Sequence, residues 1–147
     1  MGSQWRPDDS FLTKKGQQGV ALINAALAEY GFSTKRDQVL TSRDPNMSKV
    51  IKKLTRTNLP KGWKGYQLPL YLFKSPPTFF FYQRARPGAV LPEHSHAVDQ
   101  IRIVMAGRLR YKRRTLKAGD WMFIPANLGY SIEALNSPDL EICYMYG

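Results

Sequence analysis

The amino-terminal part of the chain carries apolar residues at the spacing of an α-helix. They repeat every three or four positions: Val20, Ile23, Leu27 and Tyr30. Gly31 follows directly, where a glycine often ends a helix. The pattern predicts an amphipathic helix from about residue 17 to residue 30.

A second helix is predicted after Asp44 and Pro45, which match an N-cap and a first-turn proline. Its apolar stripe and its basic residues alternate: Met47, Val50, Ile51 and Leu54, beside Lys49, Lys52 and Lys53. A basic amphipathic helix can meet nucleic acid or an acidic partner. The simpler expectation is that the apolar stripe packs on the rest of the protein and the lysines stay in water.

From Leu59 onward the pattern changes to short apolar or aromatic runs separated by proline and glycine. The runs are Tyr66 to Phe73, Thr78 to Arg84, Gln100 to Met105, Leu109 to Arg113, Trp121 to Ile124, Ser131 to Leu135 and Leu140 to Tyr146. Many short strands with regular turns are typical of an antiparallel sandwich or barrel. We therefore predict a helical extension over residues 1–58, packed on a β-barrel domain over residues 59–147.

Composition narrows the class of protein. Hydrophobic residues make up 43% of the 147 positions, which argues against disorder, and no apolar run approaches the roughly 20 residues that span a bilayer. The first residues contain no apolar signal sequence, and Cys143 is the single cysteine, which fits a reducing compartment. These features predict a cytoplasmic protein without membrane partners.

The net charge of +11 favours anionic partners near the surface. Two interpretations stay open: the charge keeps the protein soluble, or it attracts phosphates, carboxylates or nucleic acid. The basic residues are spread along the chain and do not alternate with aromatics on one element, so nucleic acid is the least favoured partner.

The two histidines of the chain, His94 and His96, lie two residues apart in a strand-like segment. In a strand this spacing places both imidazoles on one face, and Gln100 has the same parity. The pair suits either one metal ion or proton transfer near neutral pH.

The surrounding residues resemble the first cupin motif, in which a glycine, a His-x-His pair, an acid and a second glycine follow at fixed spacing. Gly88, His94, His96 and Gly107 take these places, and Gln100 stands where the acid belongs. The segment from Gly119 to Ala134 resembles the second motif, with Pro125 in place and Tyr130 where the third histidine belongs. The resemblance implies an antiparallel cupin β-barrel of the jelly-roll type, mainly β, with two amino-terminal α-helices.

Cupins typically hold Fe(II), Mn(II), Ni(II) or Zn(II) with three histidines and a glutamate. Here the resemblance leaves His94, His96 and Gln100 as metal ligands, and the two substitutions remove a charge and an imidazole, which should reduce metal affinity. Two outcomes stay open: a weak divalent metal site, or a metal-free pocket in which the same groups act directly.

Other residues complete the expected site. His94, His96 and Tyr130 are the candidate catalytic groups, Tyr130 as a hydrogen-bond donor or general acid or, beside a cation, as a base. Arg102 shares the parity of Gln100, so both should point into the barrel. A buried arginine needs an anion, which is either a substrate carboxylate or phosphate, or an internal acid such as Glu133 or Glu141.

Aromatic residues are expected to supply barrel packing and a flat wall for a ligand. They are Phe79, Phe81, Trp121 and Phe123. Trp121 and Phe123, with Gln100 and Arg102, are the predicted substrate-binding residues. Ile101, Ile103 and Met105 should face the other way, under the helices or against a partner.

The function predicted from these residues is acid–base chemistry on a small, anionic metabolite, as in a lyase, dehydratase or isomerase. Alternatives are a metal-dependent dioxygenase and a non-catalytic cupin that binds a small ligand. Because small cupins commonly pair through their outer sheet, the resemblance also implies a homodimer.

Overall fold

The computed structural model describes residues 16–55, 57, 61, 66–72, 80–136 and 138–147. The chain forms two compact units, one from Met1–Thr34 and Ser48–Tyr71 and the other from Lys35–Met47 and Leu72–Gly147. The boundary predicted between residues 58 and 59 and the packing of the helical extension stay predictions. No helix in the described ranges is long and apolar enough to cross a bilayer.

The first predicted helix is confirmed as α1, Gly16–Glu29. Its apolar stripe is buried at Ile23, Ala26 and Leu27. The helix ends as the sequence indicates, because Gly31 takes a φ of 82° and the N–H of Phe32 donates to the carbonyl of Leu27 at 3.0 Å.

The second helix, α2, spans Met47–Lys53, and its predicted N-cap is wrong. The carboxylate of Asp44 accepts hydrogen bonds from the N–H and the hydroxyl of Thr41, at 3.0 and 2.8 Å. Asp44 therefore closes the turn before the helix. Tyr66 belongs to the same compact unit as residues 48–53 of α2 and forms an isolated β-bridge with Thr55. The strand predicted from Tyr66 is absent among described residues 66–72, and Phe73 lies outside them.

The second unit contains the nine strands found among the described residues, and every pairing among them is antiparallel. Their bounds are β1 Leu40–Thr41, β2 Phe80–Ala85, β3 Val90–His94, β4 Gln100–Ala106, β5 Arg108–Tyr111, β6 Arg114–Lys117, β7 Trp121–Ile124, β8 Tyr130–Ala134 and β9 Leu140–Tyr146. One sheet has the order β1-β7-β4-β9-β2 and the other the order β3-β8-β5-β6. This confirms the predicted class: mainly β and antiparallel, with two helices in the part of the chain that the structure describes.

The core of this unit lies between the inner faces of the two sheets. Its buried members alternate along the strands: Val104, Leu109, Tyr111, Leu116, Met122, Ile124, Tyr130, Ile132, Ala134, Leu140, Ile142 and Tyr144. Strands β2 and β3 are edge strands of their sheets. Among the described residues, nothing covers the space between the sheets on the side of β2 and β3, and this space contains the site described below.

Gly107 makes the tight turn between β4 and β5. Its φ is 71°, and a Cβ atom there would lie 2.5 Å from the carbonyl oxygen of Asp139. Only glycine fits such a close approach, so this glycine of the first motif has a structural role.

Candidate functional site

A β-bulge brings His94 into the barrel. Leu91 pairs with Ile132 and His94 with Tyr130, so β3 carries one more residue than β8 between the two pairs. Without the extra residue, His94 would point outward. The ring centroids of His94 and Tyr130 lie 4.7 Å apart.

The orientation of the His94 ring follows from one backbone contact. Its Nδ1 lies 2.6 Å from the carbonyl oxygen of Pro92. A carbonyl oxygen only accepts hydrogen bonds, so Nδ1 carries a proton, and in the neutral form of the ring Nε2 is an acceptor.

His96 reaches the same place from the loop after β3, so the two histidines share a site although only His94 belongs to a strand. The N–H of Asn127 donates to the carbonyl of His96 at 2.6 Å and holds this loop. The His96 ring lies 4.9 Å from the His94 ring and 5.0 Å from that of Tyr146. Burial lowers the pKa of His96, and the charges of His94 and Arg102 lower it further.

Gln100 and Arg102 both point into the lumen, as their parity predicts. Their exposed fractions are 0% and 2%, and that of Tyr130 is 2%. The phenol oxygen of Tyr130 accepts two hydrogen bonds, from Gln100 Nε2 at 2.9 Å and from Arg102 Nη2 at 3.0 Å. Because both lone pairs are engaged, the phenol proton remains available for a ligand.

Arg102 is a buried cation whose contacts are neutral. Nη1 donates to Gln83 Oε1 at 2.9 Å, and the guanidinium carbon lies 4.4 Å from the ring centroid of Tyr144. The described part of the chain gives Arg102 no carboxylate partner.

The predicted internal acids are therefore wrong, since Glu133 pairs with Arg110 at 3.8 Å and Glu141 accepts from Tyr82. Two buried polar atoms, Gln100 Oε1 and Arg102 Nε, have no hydrogen-bond partner among the described residues. Both belong to the cluster around Tyr130.

Trp121 and Phe123 do not join this cluster. Strand β7 pairs with β4 so that Trp121 faces Ile103 and Phe123 faces Ile101, on the sheet face opposite to Gln100 and Arg102. The expectation that they line the lumen is corrected for this reason. Phe123 instead lies 5.4 Å under the guanidinium of Arg36.

Other aromatics take the place predicted for Trp121 and Phe123. Phe81 pairs with Tyr144 across β2 and β9 and stacks on its ring at 5.1 Å, while Phe79 lies outside the described residues. Sequence reasoning missed Tyr144 and Tyr146, although the alternation of β9 places both on one face. Only the pairing of β9 with β4, Arg102 opposite Tyr144, assigns that face to the lumen.

A cavity of about 240 Å³ continues from Arg102 toward the gap between β2 and β3. Its walls are mostly aliphatic, with Leu91, Ile132, Leu140 and Ile142 among the lining residues. The sequence did not predict this cavity, because its presence depends on the separation between the edge strands β2 and β3.

The donor set does not fit a divalent metal ion. His94 and His96 are neutral ligands, the described residues bring no third His, Cys, Asp or Glu to them, and the unpartnered Oε1 of Gln100 adds only another neutral ligand. The positive charge of Arg102 reaches the His96 imidazole, since it lowers the pKa of this group beyond the effect of burial. A divalent cation at the same place would meet this repulsion without a carboxylate to offset it.

Comparison with known proteins gave structural neighbours only: no family model and no curated protein matches the chain. A chain in the complex of Rhodobacter sphaeroides SigE with the anti-sigma ChrR is 18% identical, with a TM-score of 0.46, and the match covers 50% of this chain and 40% of that one. KdgF from a Halomonas species is 26% identical, with a TM-score of 0.45 and coverages of 49% and 70%.

A predicted oxalate decarboxylase from Thermotoga maritima is 25% identical, with a TM-score of 0.41 and coverages of 46% and 63%. This chain thus spans less than two thirds of two of these three neighbours. The two antiparallel sheets, and the two motif segments that bring His94 and Tyr130 face to face between them, agree with the fold that the resemblance to cupins predicts.

Proposed function

We propose that this protein is a metal-independent cupin that binds a small organic carboxylate in its lumen and moves a proton on it. The observation that carries the proposal is Arg102, a guanidinium that is 2% exposed and has no acid beside it in the described part of the chain. Removing a charge from water without a partner is costly. A ligand carboxylate would relieve this cost.

The free hydrogen-bonding atoms support a carboxylate that carries a second polar group. Arg102 Nε can donate to a carboxylate oxygen, and a guanidinium binds carboxylates with favourable planar geometry. Gln100 Oε1 can accept from a hydroxyl of the same ligand. Together they suit a hydroxy acid.

The acid and base of the proposed reaction are Tyr130 and His96. Tyr130 has a proton to donate because its lone pairs are engaged by Arg102 and Gln100. The lowered pKa of His96 keeps this imidazole neutral, and able to accept a proton, at neutral pH. His94 lies beside both rings and offers Nε2 to a ligand hydroxyl or to water.

A dehydration illustrates the chemistry. His96 takes the proton from the carbon next to the carboxylate, and Tyr130 protonates the departing hydroxyl, which leaves as water as the double bond forms. The proton on His96 then returns to the Tyr130 phenolate through solvent. Lyase and isomerase reactions use the same acid and base, whereas a dioxygenase would need the metal that this donor set does not fit.

Carboxylate binding is tested by calorimetric titration with lactate, malate and pyruvate. We expect the wild type to bind at least one of them and Arg102→Met to lose at least 100-fold in affinity. Arg110→Met is the matched control, because Arg110 is exposed and already paired with Glu133. Equal binding by wild type and Arg102→Met would contradict the proposal.

Proton transfer is tested without knowing the substrate, by NMR in deuterated water. The expected result is exchange of the hydrogen next to the carboxylate by the wild type, lost in His96→Gln and Tyr130→Phe. A ligand that binds through Arg102 without any exchange would make the protein a binding module instead.

A homodimer and a cytoplasmic location also belong to the proposal. The dimer is supported by the resemblance to small cupins and by apolar surface on the outer side of β4, where Met105 is 55% exposed. Light scattering on the eluted protein should give twice the mass of one chain. A monomer at micromolar concentration would remove the dimer and leave the lumen site unaffected.

A further inference from the structure

We infer that the ligand carries a compact apolar group beside its carboxylate, and that the aliphatic cavity next to Arg102 holds this group. The inference rests on the proposed function, because it takes Arg102 as the carboxylate partner. It adds what the polar cluster leaves open: the kind of acid that the site selects.

The cavity adjoins the hydrogen-bonded cluster around Tyr130. Arg102 and Gln83 belong both to the cavity lining and to the hydrogen-bonded cluster around Tyr130. A ligand whose carboxylate lies on Arg102 can therefore extend its remaining atoms into the cavity.

The side chains that line the cavity favour an apolar group. Apart from Gln83, Arg84 and Arg102, the side chains that line the cavity are aliphatic, with alanines at positions 85, 89 and 134. These aliphatic side chains offer no hydrogen bonds to hydroxyl groups, so the hydroxyls of a polyhydroxylated acid that lie against them would lose their hydration without compensation. Methylene or aromatic groups gain from the same contact.

The volume of the cavity sets the size of the apolar group that it can hold. At about 240 Å³ the cavity exceeds the roughly 150 Å³ that accommodates benzene in a protein interior. An apolar group of about six to eight non-hydrogen atoms would fill it, taking about 30 Å³ for each atom, the volume of one water in the liquid. The ligand class is therefore a carboxylic acid with a medium-length alkyl or an aryl group, rather than a short diacid.

A chain-length series tests the inference directly. Acetate, butanoate, hexanoate, octanoate and dodecanoate are titrated into the full-length protein, with hexanol as the probe that lacks the carboxylate. Affinity should rise about fourfold with each added methylene until the cavity is full, and fall for dodecanoate. Hexanol should bind at least 100-fold more weakly than hexanoate.

A pair of matched variants places the apolar group. Ala89 lines the cavity from an exposed turn, and Ala97 is an exposed alanine that is not part of its lining. Ala89→Leu should reduce hexanoate affinity at least tenfold and leave acetate binding unchanged. Ala97→Leu should bind both acids as the wild type does.

The outcomes separate this inference from the proposed function. Affinity that does not change with chain length, or Ala89→Leu without effect on hexanoate, overturns the apolar group and leaves the carboxylate site standing. Failure of every carboxylate to bind, or equal binding by Arg102→Met, overturns the carboxylate site itself.

Discussion

The arginines on the flank of the barrel and the arginine in its lumen are partnered in opposite ways. On the flank, Arg36 pairs with Asp99, Arg43 with Asp120 at 2.9 Å, and Arg114 with Asp44 at 3.3 Å. The side chains of Arg36, Arg43 and Arg114 are 19%, 45% and 34% exposed, so water could stabilise each of them. Arg102, at 2% exposure, has no acid in the described ranges.

Stability alone would produce the reverse arrangement. Surface ion pairs contribute little, whereas a buried charge without a partner destabilises the fold. Each of the three flank arginines thus has an aspartate beside it, although water could stabilise its charge. Arg102 in the lumen, which water does not reach, has no aspartate or glutamate beside it in the described residues. Residues that cost stability in this way are common at functional sites, and this is why the proposal rests on Arg102.

The largest effect is expected from removing a flank acid. The carboxylate of Asp120 accepts hydrogen bonds from Ser42 Oγ, Arg43 Nε and the N–H of Lys117, at 3.0, 2.9 and 2.9 Å. Asp120→Ala should lower the free energy of unfolding by about 3 kcal/mol, because it leaves these donors without an acceptor. Urea denaturation measures the loss.

Asp139→Ala is the control for that variant. The side chain of Asp139 is 33% exposed and its partner Arg84 is 64% exposed, so the expected loss is below about 1 kcal/mol. Equal losses for the two aspartates would mean that burial does not distinguish the pairs.

A loss of about 2 kcal/mol is expected for Tyr130→Phe. The substitution removes the acceptor of two buried donors, Gln100 Nε2 and Arg102 Nη2, and each unsatisfied donor is costly. Tyr144→Phe is the comparison, since the contacts of Tyr144 recorded in the described structure are those of its ring. Thermal unfolding followed by circular dichroism should rank Tyr130→Phe clearly below Tyr144→Phe.

Substitution of Arg102, the arginine in the lumen, should not lower the free energy of unfolding. Arg102→Met replaces an unpaired buried charge by an apolar side chain of similar length, so the free energy of unfolding should stay unchanged or rise by about 1 kcal/mol. Arg36→Met should lower it, because Asp99 loses its cation. If Arg102→Met destabilised as much as Arg36→Met, the contrast between lumen and flank would fail.

A smaller effect is expected on the outer face of the second sheet. Arg108 and Lys117 are exposed and face each other across β5 and β6, a like-charge pair. Lys117→Glu should raise stability by about 0.5 kcal/mol in low salt, and 1 M NaCl should remove the gain. Arg110→Glu, which faces Glu133, should lower stability instead.

The smallest effect is expected from the titration of His96. Its pKa is lowered in the folded state, mainly by burial, so the unfolded chain takes up the proton first as pH falls. His96 thus supports folding fully above its ordinary pKa of 6.5, and this contribution is lost at lower pH. Between pH 7.5 and 5.5, His96→Gln should lose less stability than the wild type, and equal losses would contradict the lowered pKa.

The local pattern predicted α1, the strand class and several strand bounds, because periodicity reports directly which side of an element is apolar. It also placed Gln100 and Arg102 on one inward face. The predicted strand at Tyr66 and the Asp44 cap were wrong, since a short apolar run does not show whether it has a partner strand and an aspartate does not show which N–H it accepts from.

Two registers decided the rest of the site. The extra residue in β3 directs His94 inward opposite Tyr130, and the pairing of β7 with β4 sends Trp121 and Phe123 to the other face. A shift by one residue exchanges the two faces of a strand. Alternation within one segment therefore shows which of its residues share a face, but not which face of a neighbouring strand they share.

What the amino-acid sequence determined by itself is local: the apolar period of each element, the turn glycines, the pair of histidines and the excess of basic residues. What the tertiary structure decided is relational: that Tyr130 accepts from Arg102 and Gln100, that Glu133 and Glu141 are occupied elsewhere, and that a cavity with aliphatic walls adjoins the guanidinium. The physical reason is that side chains far apart in the chain meet only through strand pairing, and pairing is set by the packing of the whole barrel.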